Sequence, residues 1–442
     1  MTDEHFEAQF PDTSRKREIG EIITYVKDGS SCQLIGLPGV SRSTVLGFLS
    51  YNGKIRQKHL GEAQKNIHFV DVDFSEIRNR SLFDVMKFLF LNLTESLRER
   101  GLKEENKVVG DKFREHLSFN DELVLFQGFK EAIDYLAHEK QLITVFLFNR
   151  FEEYVPTVTS EFFSNLRILR NKAKYRFAIV FSLNRPLENL LDPTLLADYY
   201  EFVAGHAVYV SLHDEVFSQH RLAFIEKITS KKISSQQLQK ILALTGGHGK
   251  LTKLAVESLL TQAQEPARVR EYLLAQKTIK AAMNEIWQSL LPAEQASLVE
   301  GKYDDSEVTE YLQNVGLVKK NIIQIPLLAQ FIENEYKSGG AAGQKIVFDS
   351  NTNTIRRGTL VLSDQLTSSE FRLLAYLLQH QDRVIEREEL INVVWSGVKS
   401  TAGITDQAVD QLIFRVRRKV EEDANHPVHV HTIKGRGFKF TP

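Results

Sequence analysis

The chain has 442 residues, 42% of them hydrophobic and 26% charged, with a formal net charge of −1. That length suits about two or three domains with buried cores, and the near-zero charge excludes a uniformly basic nucleic-acid coat, so any DNA contact must come from a local patch. The single cysteine, Cys32, excludes an intramolecular disulfide, and no apolar run is long enough to span a bilayer, so a reducing, cytoplasmic setting is expected.

Residues 1–18, MTDEHFEAQFPDTSRKRE, hold no apolar signal core and are predicted to be a polar tail. Between 19 and 211, strand and helix signals alternate. SCQLIG (31–36) predicts a short strand and STVLGFLSY (43–51) a helix. NIHFVDVDF (66–74) predicts a second strand, followed by amphipathic helices around 81–100 and 122–140. LITVFLF (142–148) and RFAIVFSL (176–183) are continuous apolar runs of the kind found in buried parallel strands. The rhythm predicts a parallel sheet with helices on both faces. From 212 onward the pattern turns helical, with TGGHGKLTKLAVESLL (245–260) as a glycine break opening a helix. YLQNVGLVKKNIIQI (311–325) reads as a helix running into a short hairpin.

One stretch of this first half carries chemistry. A phosphate loop has the form G-x-x-x-x-G-K-[ST]: backbone N–H groups converge on the phosphates, a lysine bridges the outer ones and a hydroxyl ligates Mg²⁺. In GLPGVSRST (36–44), Gly36, Gly39, Ser43 and Thr44 stand where such a loop needs them, between a strand and a helix. Ser41 and Arg42 replace the second glycine and the lysine. Asn149 stands where a metal-anchoring acid is needed, and Arg150 where a water-activating residue often sits. These segments, with the glycine break at 245–249, resemble the STAND branch of AAA+ ATPases and, more loosely, archaeal origin-recognition initiators. The resemblance spans about 19–336. It implies an α/β P-loop NTPase-like parallel sheet at 19–211, a helical lid at 212–280 and a winged-helix-like domain at 281–337. The lid of that family carries proline where Gly249 stands. The changes at Ser41, Arg42, Asn149 and Gly249 imply a degenerate nucleotide site of Gly36, Gly39, Ser41, Arg42, Ser43, Thr44 and Asn149. No residue is assigned a catalytic role. ATP or ADP binding without hydrolysis is left open; Mg²⁺ is not expected.

SGGAAGQ opens a linker at 338–345. Beyond it, KIVFD and GTLVLS predict leading strands, and LTSSEFRLLAYLLQHQDRVIEREELINVVW (366–395) predicts helix, turn, helix. ITDQAVDQLIFRVRRKV (404–420) predicts a third helix and VHVHTIKGRGFKFT (428–441) a hairpin. These motifs resemble the OmpR/PhoB-type winged-helix domain across 346–442, which implies binding of duplex DNA through the third helix and the hairpin wing. On the third helix, Val409, Ile413, Val416 and Val420 share an inward face. Gln407, Gln411, Phe414, Arg415 and Arg418 point the other way, flanked by Arg417 and Lys419. Arginine and glutamine have base-edge partners in the major groove. The wing adds Thr432, Lys434 and Arg436. Leu412 and Phe414 stand where the resemblance implies polar or basic contacts, so altered specificity or protein binding stays open. His426, His429 and His431 have no cysteine or carboxylate to complete a ligand set, and no metal site is predicted.

The whole is predicted to be multidomain, mostly α with an α/β core. The expected function is a non-catalytic DNA-binding regulator or assembly factor, its pseudo-NTPase module sensing or oligomerising. Two alternatives are an ATP-binding STAND switch with residual nucleotide binding, and an adaptor in a prokaryotic defence or signalling complex that uses its winged helices for protein contacts. Double-stranded DNA, and a protein partner or a second copy, are the expected partners; a membrane is not.

Overall fold

The computed structural model describes residues 5–262, 266–303, 306–337, 346–349, 354–357, 360–395, 406–421, 424 and 427–441. The chain divides into two compact units, Met1–Ser289 with Glu310–Leu327, and Leu290–Thr309 with Leu328–Pro442.

In the first unit the apolar runs become parallel strands: β1 (Cys32–Ile35), β2 (Ile67–Asp73), β3 (Ile143–Asn149), β4 (Phe177–Leu183) and β5 (Ala207–Tyr209), in the order β2-β3-β4-β1-β5. β1 and β4 are buried along their whole length and β3 almost so, as helices on both faces require. Cys32 lies fully buried in β1, and burial pushes its thiol pKa up, so it is a packing residue. The helices are α1 (Lys16–Lys27), α2 (Arg42–Tyr51), α3 (Gly53–Leu60), α4 (Leu82–Glu99), α5 (Lys103–Leu117), α6 (Glu122–Asp134) and α7 (Ser160–Ala173). Ser81, Asp121 and Thr159 cap α4, α6 and α7 by accepting a backbone N–H. Beyond β4 lie the short α8 (Leu187–Leu190) and α9 (Pro193–Leu196), then α10 (Glu215–Thr229), α11 (Ser235–Thr245), α12 (Gly249–Leu260), α13 (Val269–Ala275) and α14 (Lys277–Gln288). The end of β3 is fixed by an aromatic cluster. Rings of Phe74, Phe151 and Phe181 lie 4.9, 5.9 and 5.4 Å from that of Phe148.

Three features differ from expectation. Residues 5–18 are not a free tail: Phe10, Ser14 and Arg15 are buried. The ring of Phe10 meets those of Phe48 and Phe217, and the Arg15 guanidinium donates to the carbonyls of Ser211 (2.7 Å) and Val40 (3.1 Å). Two aromatics four residues apart in a polar stretch give no periodic signal. α5 went unpredicted because its inner face holds only Val109, Gly110 and Phe113 as buried residues. The segment 281–337 is shared between the units. α15 (Pro292–Glu300) falls in the second and the hairpin of β6 (Val318–Lys319) and β7 (Ile322–Ile323) in the first, while α16 (Ser306–Asn314) and α17 (Pro326–Ile332) span the divisions.

In the second unit, β8 (Ile346–Asp349), β9 (Thr354–Arg357) and β10 (Leu360–Val361) form an antiparallel sheet. Then come α18 (Ser368–Gln379), β11 (Val384–Ile385), α19 (Arg387–Val394), α20 (Asp406–Val420), β12 (Val430–Ile433) and β13 (Gly437–Phe440). The last sheet runs β11-β13-β12. Val409, Ile413, Val416 and Val420 are buried against α18, α19 and the wing. Leu412 is fully buried with them, so it belongs to the core and not to a contact surface. The linker 338–345 lies outside the described residues. Among the described residues no helix is long and apolar enough to cross a membrane.

Candidate functional site

The loop between β1 and α2 turns through two left-handed residues, Gly39 at φ 85° and Ser41 at φ 74°. For Ser41 that conformation costs about 1–2 kcal/mol, which a glycine there would avoid. Gly36 is pinned by its N–H to the Leu183 carbonyl (3.2 Å), and Thr44 lies in the first turn of α2 with its N–H on the Ser41 carbonyl (3.1 Å).

Side chains of the same unit pack around the loop. Arg42 Nη2 donates to Glu152 Oε1 at 2.6 Å, both side chains largely buried. Arg42 Nη1 and Glu152 Oε2 stay buried without a hydrogen-bond partner. Ser43 Oγ donates to Asn149 Oδ1 at 2.8 Å. Parallel pairing sets Asp73 opposite Asn149, and the Asn149 amide donates to the Asp73 carboxylate at 3.5 Å. Arg150, itself left-handed at φ 55°, closes on Asp73 through Nε at 2.9 Å and through Nη2. Burial, the largest influence, would raise the Asp73 pKa, but the bonds from Arg150 and Ser75 together hold the carboxyl below its usual range. This donor set does not fit Mg²⁺: a neutral amide, a hydroxyl already donating to it, and a carboxylate taken by an arginine.

The helices beyond the sheet reach the same loop. His248 Nε2 meets the Pro38 carbonyl at 2.9 Å and Lys250 N–H donates to the Gly39 carbonyl at 2.9 Å. Arg221 of α10 donates to Ser41 Oγ at 3.0 Å. Gly249 has a steric reason to be glycine. A Cβ there would lie 2.8 Å from Ser41 Oγ and 3.1 Å from the Gly39 carbonyl. His248 is fully buried, and that burial lowers its pKa to about 4, so the ring is neutral. Asp73, Arg221 and His248 were not singled out in the sequence, because Asp73 meets Asn149 and Arg150 across 76 and 77 residues of chain, Arg221 meets Ser41 across 180 and His248 meets Pro38 across 210. Glu152 lies just beyond β3, and the helical turn Phe151–Glu153 carries it back to Arg42.

In the second unit, Gln411, Phe414, Arg415 and Arg418 lie exposed on the outer face of α20. Gln407 belongs to the first turn of α20; its side chain lies outside what is described. Arg417 turns aside. Its Nε donates to the Val430 carbonyl and its Nη2 to Thr432 Oγ1, both at 2.8 Å, which ties helix to wing. Lys434 and Arg436 stand exposed at the wing turn. Glu370 organises the inner side. It forms a capping box with Thr367, and its carboxylate takes Lys419 Nζ at 2.6 Å and lies 3.8 Å from Arg415 Nε. Burial would raise the Glu370 pKa, but Lys419 and the Thr367 N–H hold it low. The His429 ring stacks on Phe440 and bonds the Thr441 carbonyl at 3.1 Å. His426 lies outside the described residues.

Residues 364–440 match the family described as transcriptional regulatory protein, C terminal. The alkaline phosphatase synthesis transcriptional regulatory protein PhoP of Bacillus subtilis is 40% identical over 75 residues, 17% of this chain and 30% of that protein. The sensory transduction protein RegX3 of Mycolicibacterium smegmatis is 40% identical over 74 residues. The chain thus spans about a third of the length of these curated relatives. Among solved structures, the DNA-binding domain of RstA from Klebsiella pneumoniae, in complex with its RstA box, is similar at 24% identity. It covers 22% of this chain and 90% of that one, with a TM-score of 0.19. A Walker-type ATPase of Pyrococcus abyssi is similar at 15% identity over 80% of this chain and 97% of that one, with a TM-score of 0.43. A STAND protein of Pyrococcus horikoshii with a tetratricopeptide repeat sensor is similar at 14% identity over 95% of this chain and 56% of that one, with a TM-score of 0.32. With its motifs, its buried helix face and its wing in place, the segment 364–440 is a C-terminal domain of the transcriptional regulatory protein family, of OmpR/PhoB type.

Proposed function

We propose that the chain is a non-catalytic DNA-binding regulator or assembly factor, whose α20 and wing read duplex DNA while the module around the 36–44 loop senses or assembles. The observation that carries this is the outer face of α20, where Gln411, Arg415 and Arg418 stand in solvent on a regulator-family domain. Such side chains have bidentate partners on base edges in the major groove. Lys434 and Arg436 supply phosphate contacts at the wing turn. The absence of turnover is supported by Arg42 pairing with Glu152 and by the amide at Asn149, since phosphoryl transfer needs a free cation and an acid-held metal. The spare Arg42 Nη1 keeps ATP or ADP binding without hydrolysis within this reading.

The test is anisotropy of the full chain on a duplex library between about 50 and 200 mM salt, with ATP turnover followed alongside. Binding that weakens steeply with salt supports the reading. No duplex bound at low salt overturns its DNA half. Turnover above background that is lost in Arg42→Ala overturns its non-catalytic half. Phe414, 44% exposed, favours a second reading, an adaptor that docks a protein on the same face. A partner held at high salt and indifferent to Arg415→Ala with Lys434→Ala would decide for it.

A further inference from the structure

β2 is an edge strand, paired only with β3, and its open side borders a cavity of about 350 Å³ roofed by the end of α2, by α3 and by α4. The volume is at the lower end of ligand pockets, roughly 300–1,000 Å³. Two arginines occupy one side. Arg56 donates to the carbonyls of Leu49 (2.9 Å) and Ser50 (2.7 Å). Arg100 donates to the carbonyls of Gln64 (2.6 Å) and Ile67, and to His68 Nδ1 (3.3 Å). Backbone therefore fixes both guanidiniums, and among the described residues neither is ion-paired with a carboxylate. Burial and the charge of Arg100 lower the Arg56 pKa to about 10. His68 sits with them, and burial plus the two arginines push its pKa down to about 3, so it adds no charge.

The other side is acidic. Asp71 keeps a buried Oδ1 without a hydrogen-bond partner, and the Tyr51 hydroxyl lies beside the same carboxylate. Glu99 of α4 lines the cavity with it. Burial and the neighbouring Asp73 and Glu7 raise the Asp71 pKa to about 7. One wall thus holds two arginines bonded to backbone carbonyls, and the other the buried carboxylate of Asp71, while Glu95 and Glu99 of the lining are exposed. A charge of either sign is costly when buried and unmatched.

We propose that this cavity binds a small zwitterion, its carboxylate or phosphate held by Arg56 and Arg100 and its ammonium by Asp71. An anion alone would leave the buried Asp71 unmatched, and a cation alone would leave the arginines without a counter-charge. α2 runs from the 36–44 loop to the cavity wall at Tyr51, so one helix joins both places. The proposal is independent of DNA binding.

The experiment is calorimetric titration and thermal unfolding of the full chain with L-serine, L-glutamine and O-phosphoethanolamine, against acetate, inorganic phosphate and ethylammonium. At least one zwitterion is expected to bind saturably and raise Tm, with the single-charge probes silent. Preference for the amino acids or for O-phosphoethanolamine identifies the anionic group as carboxylate or phosphate. Asp71→Asn, isosteric, is expected to weaken that binding by about tenfold or more. Arg56→Gln tests the cationic side, its own unfolding curve serving as the folding control. Failure of all three zwitterions, equal binding of acetate or phosphate, or undiminished binding by both variants overturns the proposal.

Discussion

The loop at 36–44 and the outer face of α20 both present arginines, but in different company. Arg42 is held by Glu152, Arg150 by Asp73 and Arg221 by Ser41. Arg418, Lys434 and Arg436 stand in solvent. A buried cation such as Arg42, 11% exposed, needs a partner and has found one inside the fold, and the half-buried Arg221 and the exposed Arg150 are bonded there too. A solvated cation needs none. The two regions therefore answer a ligand unequally. A phosphate at the loop has to compete with Glu152 for Arg42. A phosphate at the wing displaces only water and counterions.

The contrast can be broken first at the core of α20. Leu412→Ala is expected to cost about 2–5 kcal/mol, while Phe414→Ala on the opposite face changes stability by no more than about 0.5 kcal/mol. Hydrogen exchange in peptides from 406–420 checks both, and similar losses would place Phe414 in the core as well. Next in size, Arg415→Ala with Arg418→Ala should weaken duplex binding by about 10- to 100-fold, and Lys434→Ala should lower the slope of log affinity on log salt by about 1. A smaller effect belongs to the loop. His248 has a pKa near 4 in the fold and about 6.5 unfolded. Its neutral form is the folded one, so its contribution is complete above pH about 6.5. It falls by about 1.4 kcal/mol per unit as pH drops towards 4. His68, lowered to about 3, acts with the same sign. Urea midpoints between about pH 7 and 4.5 should slope less steeply in His248→Gln than in the parent; equal slopes would remove His248 from the account. The smallest change is expected from Glu152→Gln, which frees Arg42: ATP affinity by calorimetry should rise by a few-fold at most, still without turnover.

Much of this was legible where the pattern is local. The continuous apolar runs gave β3 and β4, because a strand covered on both sides has no polar face to interrupt it. The inward face of α20 followed from spacing alone, and the T-x-x-E of 367–370 proved to be a capping box that also anchors Lys419. The loop's company was not legible. Arg221 and His248 lie about 180 and 210 residues from the atoms they bond, and Asp73 gains its meaning only from parallel register with Asn149. Arg417 was assigned to DNA by its helical position, yet its guanidinium swings to the wing, a choice set by the Val430 carbonyl lying within reach.

That last contact has a mechanical consequence. One guanidinium, fastened to both backbone and hydroxyl of β12, fixes the distance between the helix that would enter one groove and the turn that would touch the next. The domain is then a calliper of set span and, on the proposed reading, would grip best where the twist and groove width of the duplex already match its opening.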